Sequence, residues 1–160
     1  MFDRFGEFDT FGEMNELAEN LFNEGDIDSI RILAKENGIP EDIVELYIDG
    51  EIPYMCDALT AAVGKIDVEA GELKIKGLME DWAEYIKGQC MENQIIAYKV
   101  RNKGKSLSGC IAALLKESFG NQWEVPKGII KESGVNAARV TFGVPGMAEA
   151  KRIITGYYMG

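Results

Sequence analysis

Histidine is absent from all 160 residues. Its absence removes the Ser-His-Asp and Cys-His arrangements, the usual zinc and non-haem iron sites, and the side chain best suited to proton transfer near neutral pH. Catalysis by carboxylates, lysine or tyrosine is left open, but the composition points away from an enzyme, and no catalytic residue, metal ligand or cofactor site is assigned. Proline is scarce, at four residues, and no segment is low in complexity, so disorder is not expected. No apolar run approaches the roughly 18 residues of a membrane span, the longest tight one being 110–115. The opening Met1-Phe2-Asp3-Arg4 alternates aromatic with charged side chains and does not read as a signal peptide. Cysteine is limited to Cys56, Cys90 and Cys110. An odd number, wide spacing and no Cys-x-x-Cys pair predict three small buried hydrophobes in a reducing cytoplasm, rather than disulfides or a zinc site.

What the chain does have is segregated charge. The formal net of −10 divides into −11 over residues 1–50, −4 over 51–100 and +5 over 101–160. Such polarity informs about partners rather than fold. The acidic start repels nucleic acid, whereas the basic end suits phosphate, an acidic partner or the chain's own acidic half.

Periodicity predicts helices through most of the length. Thr10 and Glu13 have capping-box spacing ahead of Met14, Leu17, Ala18 and Leu21, and Gly25 ends that helix. Asp26 caps a second helix over about 27–36. Pro40 opens a third, which carries Ile43, Val44, Leu46 and Tyr47. Further helices are expected at about 54–65, 77–91 and 94–101, with residues 66–76 mixed and a short extended piece starting at Ile66. Ser106 caps an apolar helix containing Leu107, Cys110, Ile111, Leu114, Leu115 and Phe119, expected to lie at the centre of the fold. Trp123 to Val125 and Arg139 to Phe142 read as short strands, with a helix between them from Pro126. A last helix covers about 147–158. The expected fold class is therefore mainly α: a compact multi-helix bundle with at most two short strands near the C-terminus. It forms one domain, 1–160, with an acidic three-helix lobe at 1–52 and a core helical lobe at 53–160 as candidate subdivisions.

Several patterns suggest chemistry. Residues 30–48 have helix-turn-helix spacing, with Ala34, the turn Gly38 and Val44. The second helix of that pair has four acids and no base, so it suits a helical corner or an acidic surface better than DNA. Its carboxylates Glu41, Asp42, Glu45 and Asp49 are the candidate partner-binding face. Phe2, Phe5 and Phe8 are a candidate aromatic anchor for a partner or a second subunit, or an arm packed on its own core. Arg101, Lys103 and Lys105 precede a helix N-terminus and are candidate phosphate contacts. Gly104-Lys105-Ser106 is not a nucleotide phosphate loop, because Lys99 stands where that pattern needs glycine.

The stretch Lys105-Ser106-Leu107-x-x-Cys110, the long helix it opens, and the Tyr157-Tyr158 pair in the last helix resemble the PcfK-like proteins of conjugative elements and the related Cas9-inhibitor family. The resemblance covers about residues 92–160. It implies a non-enzymatic protein of a mobile genetic element that inhibits a CRISPR effector. The charge pattern then suggests an acidic surface set against a basic nucleic-acid channel. The alternative expectation is a nucleic-acid-binding accessory protein of conjugation or phage that uses the basic C-terminal third. A homodimer is a candidate assembly, and no membrane partner is expected.

Overall fold

The chain reads out its helix starts and stops through caps. In the computed structural model, which describes residues 2–160, α1 spans Phe11–Glu24. The Thr10 side chain accepts from the Glu13 amide at 3.2 Å, and the Glu13 carboxylate accepts from the Asp9 amide at 2.9 Å. Gly25, at φ 76°, donates back to Leu21 and Phe22. α2 (Ile27–Glu36) starts at Asp26, which accepts from the Ser29 amide and hydroxyl. Those two bonds, the hydroxyl's the stronger, hold the Asp26 carboxyl below its usual range. α3 (Glu41–Ile48) follows Pro40, and α4 (Ala58–Leu73) follows Asp57, whose carboxylate accepts from the Thr60 amide at 2.7 Å. α5 (Leu78–Glu92), α6 (Gln94–Arg101) and α7 (Leu107–Gly120) come next. β1 (Trp123–Glu124) and β2 (Thr141–Phe142) pair antiparallel, with Trp123 opposite Phe142. α8 (Lys127–Ser133) lies between them in sequence and α9 (Met147–Met159) after them. The described residues are thus mainly helical, with one two-stranded sheet near the C-terminus. Among the described residues, no helix is long and apolar enough to cross a membrane.

Two expectations are corrected. Residues 66–73 continue α4 instead of forming an extended piece. Lys65, Ile66 and Glu69 are all buried, and 65 and 69 stand one helical turn apart. Tertiary burial on one helical face overrides the β-branched alternation. α7 is the second. Its buried stripe is limited to Leu107, Cys110 and Leu114, while Leu115 and Phe119 are 55% and 76% exposed. It carries an ordinary one-sided apolar stripe.

The chain forms two units, residues 2–108 and 109–160, divided inside the first turn of α7. In the first, α1 packs on α2, α2 on α3, and α4 on both α5 and α6. Its core gathers Met14, Ala18, Ile30, Leu33, Val44, Met55 and Ala61 into one cluster. That cluster crosses position 52, so helices α1–α3 and the start of α4 share an interior.

The turn between α2 and α3 meets α4 backbone to backbone. A methyl group added at Gly38 would sit 2.3 Å from the Gly64 carbonyl oxygen, and one added at Gly64 would sit 2.4 Å from that of Asn37. Only two glycines allow this approach. In the second unit, Gly143 lies equally close to the C-terminal end of α7, where an added methyl would meet the Ser118 carbonyl at 2.2 Å.

Candidate functional site

Burying charge is costly unless it is paired, so the interior of residues 2–108 holds an unusual cluster. Lys65 is 1% exposed. Its ammonium donates to Glu7 Oε1 at 2.8 Å and to the carbonyls of Asn102 and Lys105 at 3.0 and 2.6 Å. Glu69 Oε2 accepts from the Leu107 amide at 2.8 Å, which satisfies the first amide of α7. Arg101 is also 1% exposed. It donates through Nη2 to Asn37 Oδ1 at 3.2 Å, and its guanidinium carbon lies 5.8 Å from the centre of the Phe2 ring. Nε and Nη1 find no hydrogen-bond partner among the described residues. The cluster ties the arm before α1 to α4 and to the 102–107 loop.

The basic trio expected around this loop is therefore separated. Arg101 is enclosed by Asn37 and Phe2 and is not a surface cation. Lys103 is exposed, and Lys105 is half-buried with its carbonyl committed to Lys65. The phenylalanines turn inward: Phe5 and Phe8 pack against the core cluster, and Phe2 faces Arg101.

Burial pushes the Glu69 carboxyl above its ordinary value, against the amide bond from Leu107 and the nearby Lys65 charge. A carboxyl with a raised folded pKa keeps its proton longer in the native state. Its contribution to stability is greatest at and below the ordinary glutamate range and is lost as pH rises through the raised value. Urea melts of the protein and of Glu69→Gln, taken from about pH 4 upward, should show that slope only in the parent. Identical slopes would count against it.

The four carboxylates expected as a partner-binding face do share one side of α3. At about 100° per residue, positions 41, 42, 45 and 49 fall within about 100° of arc. Glu41, Asp42 and Asp49 are exposed. Glu45 is engaged: Arg31 donates to it through Nε at 2.8 Å and Nη2 at 3.1 Å. That fork holds its carboxyl below the usual range and raises the Arg31 pKa. The free negative face of α3 thus narrows to three carboxylates.

A second feature lies along the outer side of α1. The Asn15 amide clamps the backbone of Cys56, donating to its carbonyl at 2.7 Å and accepting from its N–H at 3.0 Å. This holds the 50–57 loop beside α1 and leaves a cleft of about 550 Å³ between them. Glu16 and Glu19 line it from α1, Tyr54 and Asp57 from the loop, and Phe11 and Tyr47 complete the wall. Glu19, Tyr47, Pro53 and Tyr54 also line a neighbouring depression of about 400 Å³ that extends to Phe22. Tyr47 is 8% exposed, and its ring lies 5.8 Å from that of Phe22. Burial, and then the charge of Glu19, raise its pKa. Sequence reading assigned Tyr47 only to a helical stripe and passed over Tyr54. The available signal was a tyrosine after Pro53 in a loop, opposite Glu16 and Glu19 on the polar side of α1.

The three cysteines are buried and unpaired, as expected. Burial pushes the Cys56 and Cys110 thiols up to about 12 and Cys90 to about 11. In the native protein, Ellman's reagent should find almost no reactive thiol at neutral pH, and all three after denaturation. A rapid native reaction would show that a thiol is accessible. Among the described residues, no three acidic or cysteine side chains converge as a metal site.

Compared with known proteins, the chain matches no family model, no curated protein sequence and no solved structure.

Proposed function

We propose that the chain is a non-enzymatic protein-interaction module that presents carboxylates to a basic surface on a protein partner in the cytoplasm. The observation that carries this reading is the charge of residues 2–108, with twenty-three acids against eleven bases. Two exposed carboxylates of α3 and a third at its C-cap, Asp49, are ordered on one side of this short helix. An ordered negative surface steers association with a positive one and repels nucleic acid. Its binding should weaken steeply with salt. Reversing Glu41, Asp42 and Asp49 to lysine should lower affinity at least tenfold at low salt, with Glu45 left in place to keep its pair with Arg31. A complex insensitive both to salt and to these reversals would remove the reading.

In its narrower form, the partner is the nucleic-acid channel of a CRISPR effector and the chain belongs to a mobile genetic element. The support is the resemblance carried by Lys105-Ser106-Leu107 with Cys110, and by Tyr157-Tyr158. Titration into guide-loaded Cas9 at low and high salt tests it. Absence of low-salt binding to every orthologue tried would eliminate the narrower form alone.

A second reading, nucleic-acid binding by the C-terminal third, keeps one specific support. Trp123 and Phe142 are paired across the two-stranded sheet and both are half-exposed or more. Exposed rings on a basic unit can stack unpaired bases. A gel shift with short single-stranded DNA should then be lost in Trp123→Ala. A shift that survives this change but disappears in Lys103→Glu with Lys105→Glu would move the contact to the loop.

A further inference from the structure

We infer that the cleft between α1 and the 50–57 loop is a receptor for an arginine side chain of a basic peptide segment. The inference rests on the acidic-surface reading and names both the place of recognition and the chemistry of what enters.

Three observations converge on a cation. The first is charge. Glu16, Glu19 and Asp57 line the cleft, and among the described residues no lysine or arginine lines it or the adjoining depression. Carboxylates gathered in a concave site without a counter-ion favour a positive occupant over a neutral or anionic one. The second is aromatic surface. Tyr54 is 67% exposed, and Phe11 and Tyr47 form the wall beside it. Ring faces attract cations, and a planar guanidinium also stacks on them. The third is Tyr47. Its side chain is mostly buried, and it lines both depressions. A hydroxyl at the wall of an acidic cleft can accept a hydrogen bond from an entering N–H donor.

Together these choose arginine over lysine and over a metal ion. A guanidinium offers five donors in a plane, enough to fork onto a carboxylate while stacking on a tyrosine. An ammonium is more strongly hydrated and stacks poorly. No set of converging metal ligands is formed among the described residues. The cleft is also open-ended. The depression it shares with Tyr54 and Pro53 continues toward Phe22, giving a neighbouring apolar residue of the same peptide a place to lie.

The experiment uses the full chain and a labelled decapeptide of alternating arginine and glycine, with lysine and citrulline counterparts. Citrulline keeps the shape of arginine and removes its charge. The arginine peptide should bind at low salt, the lysine peptide several-fold more weakly, and the citrulline peptide not measurably. Tyr54→Ala and Glu19→Gln should each weaken arginine-peptide binding about fivefold to tenfold. Both positions are exposed, and far-ultraviolet circular dichroism should confirm that the fold is kept. Asp81→Asn with Glu92→Gln, both exposed on α5, should change peptide binding less than twofold. Binding untouched by the cleft variants, or equal for arginine and citrulline, overturns the inference, as does absence of peptide binding. A parallel titration with histones separates the two levels. If histones bind and the reversals of Glu41, Asp42 and Asp49 abolish that binding while the cleft variants do not, the acidic-surface reading stands and the cleft assignment falls. If histones also fail to bind, both fall.

Discussion

Replacing Gly64 with alanine should cost about 3 kcal/mol, because the added methyl is directed at backbone rather than at a side chain that can rotate away. It would lie 2.4 Å from the Asn37 carbonyl oxygen and 2.8 Å from that of Gly38. Relief requires α4 to move off the turn between α2 and α3, which would open the core beneath Ala34 and Val44. Gly71, in the same helix, supplies the control. A methyl there meets nothing within 4 Å, and alanine at a helical glycine site should stabilise by about 0.5–1 kcal/mol. Chemical denaturation of the two variants should therefore move in opposite directions. Equal or parallel shifts would mean that the helices do not meet at this pair.

Glu7→Gln should produce the other large loss, on the order of 2–3 kcal/mol. Removing one member of a buried ion pair typically costs about 3–5 kcal/mol, and partial exposure of the Glu7 side chain reduces this. The variant leaves the Lys65 ammonium with two carbonyls and only the nearby Glu69 carboxyl, whose burial favours its neutral form, as counter-charge. Adding Lys65→Met should recover part of the loss. It removes the stranded charge, although the Asn102 and Lys105 carbonyls then lose their donor at about 1 kcal/mol each. The double-mutant cycle should show coupling of roughly 1–3 kcal/mol. That coupling should persist in high salt, whereas any coupling between the exposed Arg31 and Glu45 should fade. No coupling between Glu7 and Lys65 would show that the arm does not seat on α4 in solution.

Local chemistry was readable from the residues. Thr10, Asp26 and Pro40 announced helix starts, Gly25 announced an end, and the two extended segments at Trp123 and Phe142 became the two-stranded sheet. What stayed hidden depends on partners far along the chain. Nothing near Lys65 signals burial, because its acceptors lie 37, 40 and 58 positions away. Arg101 looked like part of a solvated basic run, since the enclosing Asn37 and Phe2 come from other elements. Gly64 resembled an incidental helix glycine until Gly38 was placed against it. The α3 carboxylates were visible as a run of acids without a base, but the pairing of Glu45 with Arg31 needed the angle between two helices. The cleft shares that character, because Glu19 and Tyr54 line it from segments that Asn15 clamps together at Cys56.

The reach of the Lys65 and Glu69 contacts also bears on how the chain is made. On a ribosome, α4 emerges well before the Asn102 and Lys105 carbonyls and the Leu107 amide that complete its interior bonds. A nascent chain interrupted between residues 73 and 107 would hold two charged groups facing a half-built interior and exposed apolar surface beside them. Such a species is a natural client for chaperones, and a slow codon run placed there would lengthen its dependence on them.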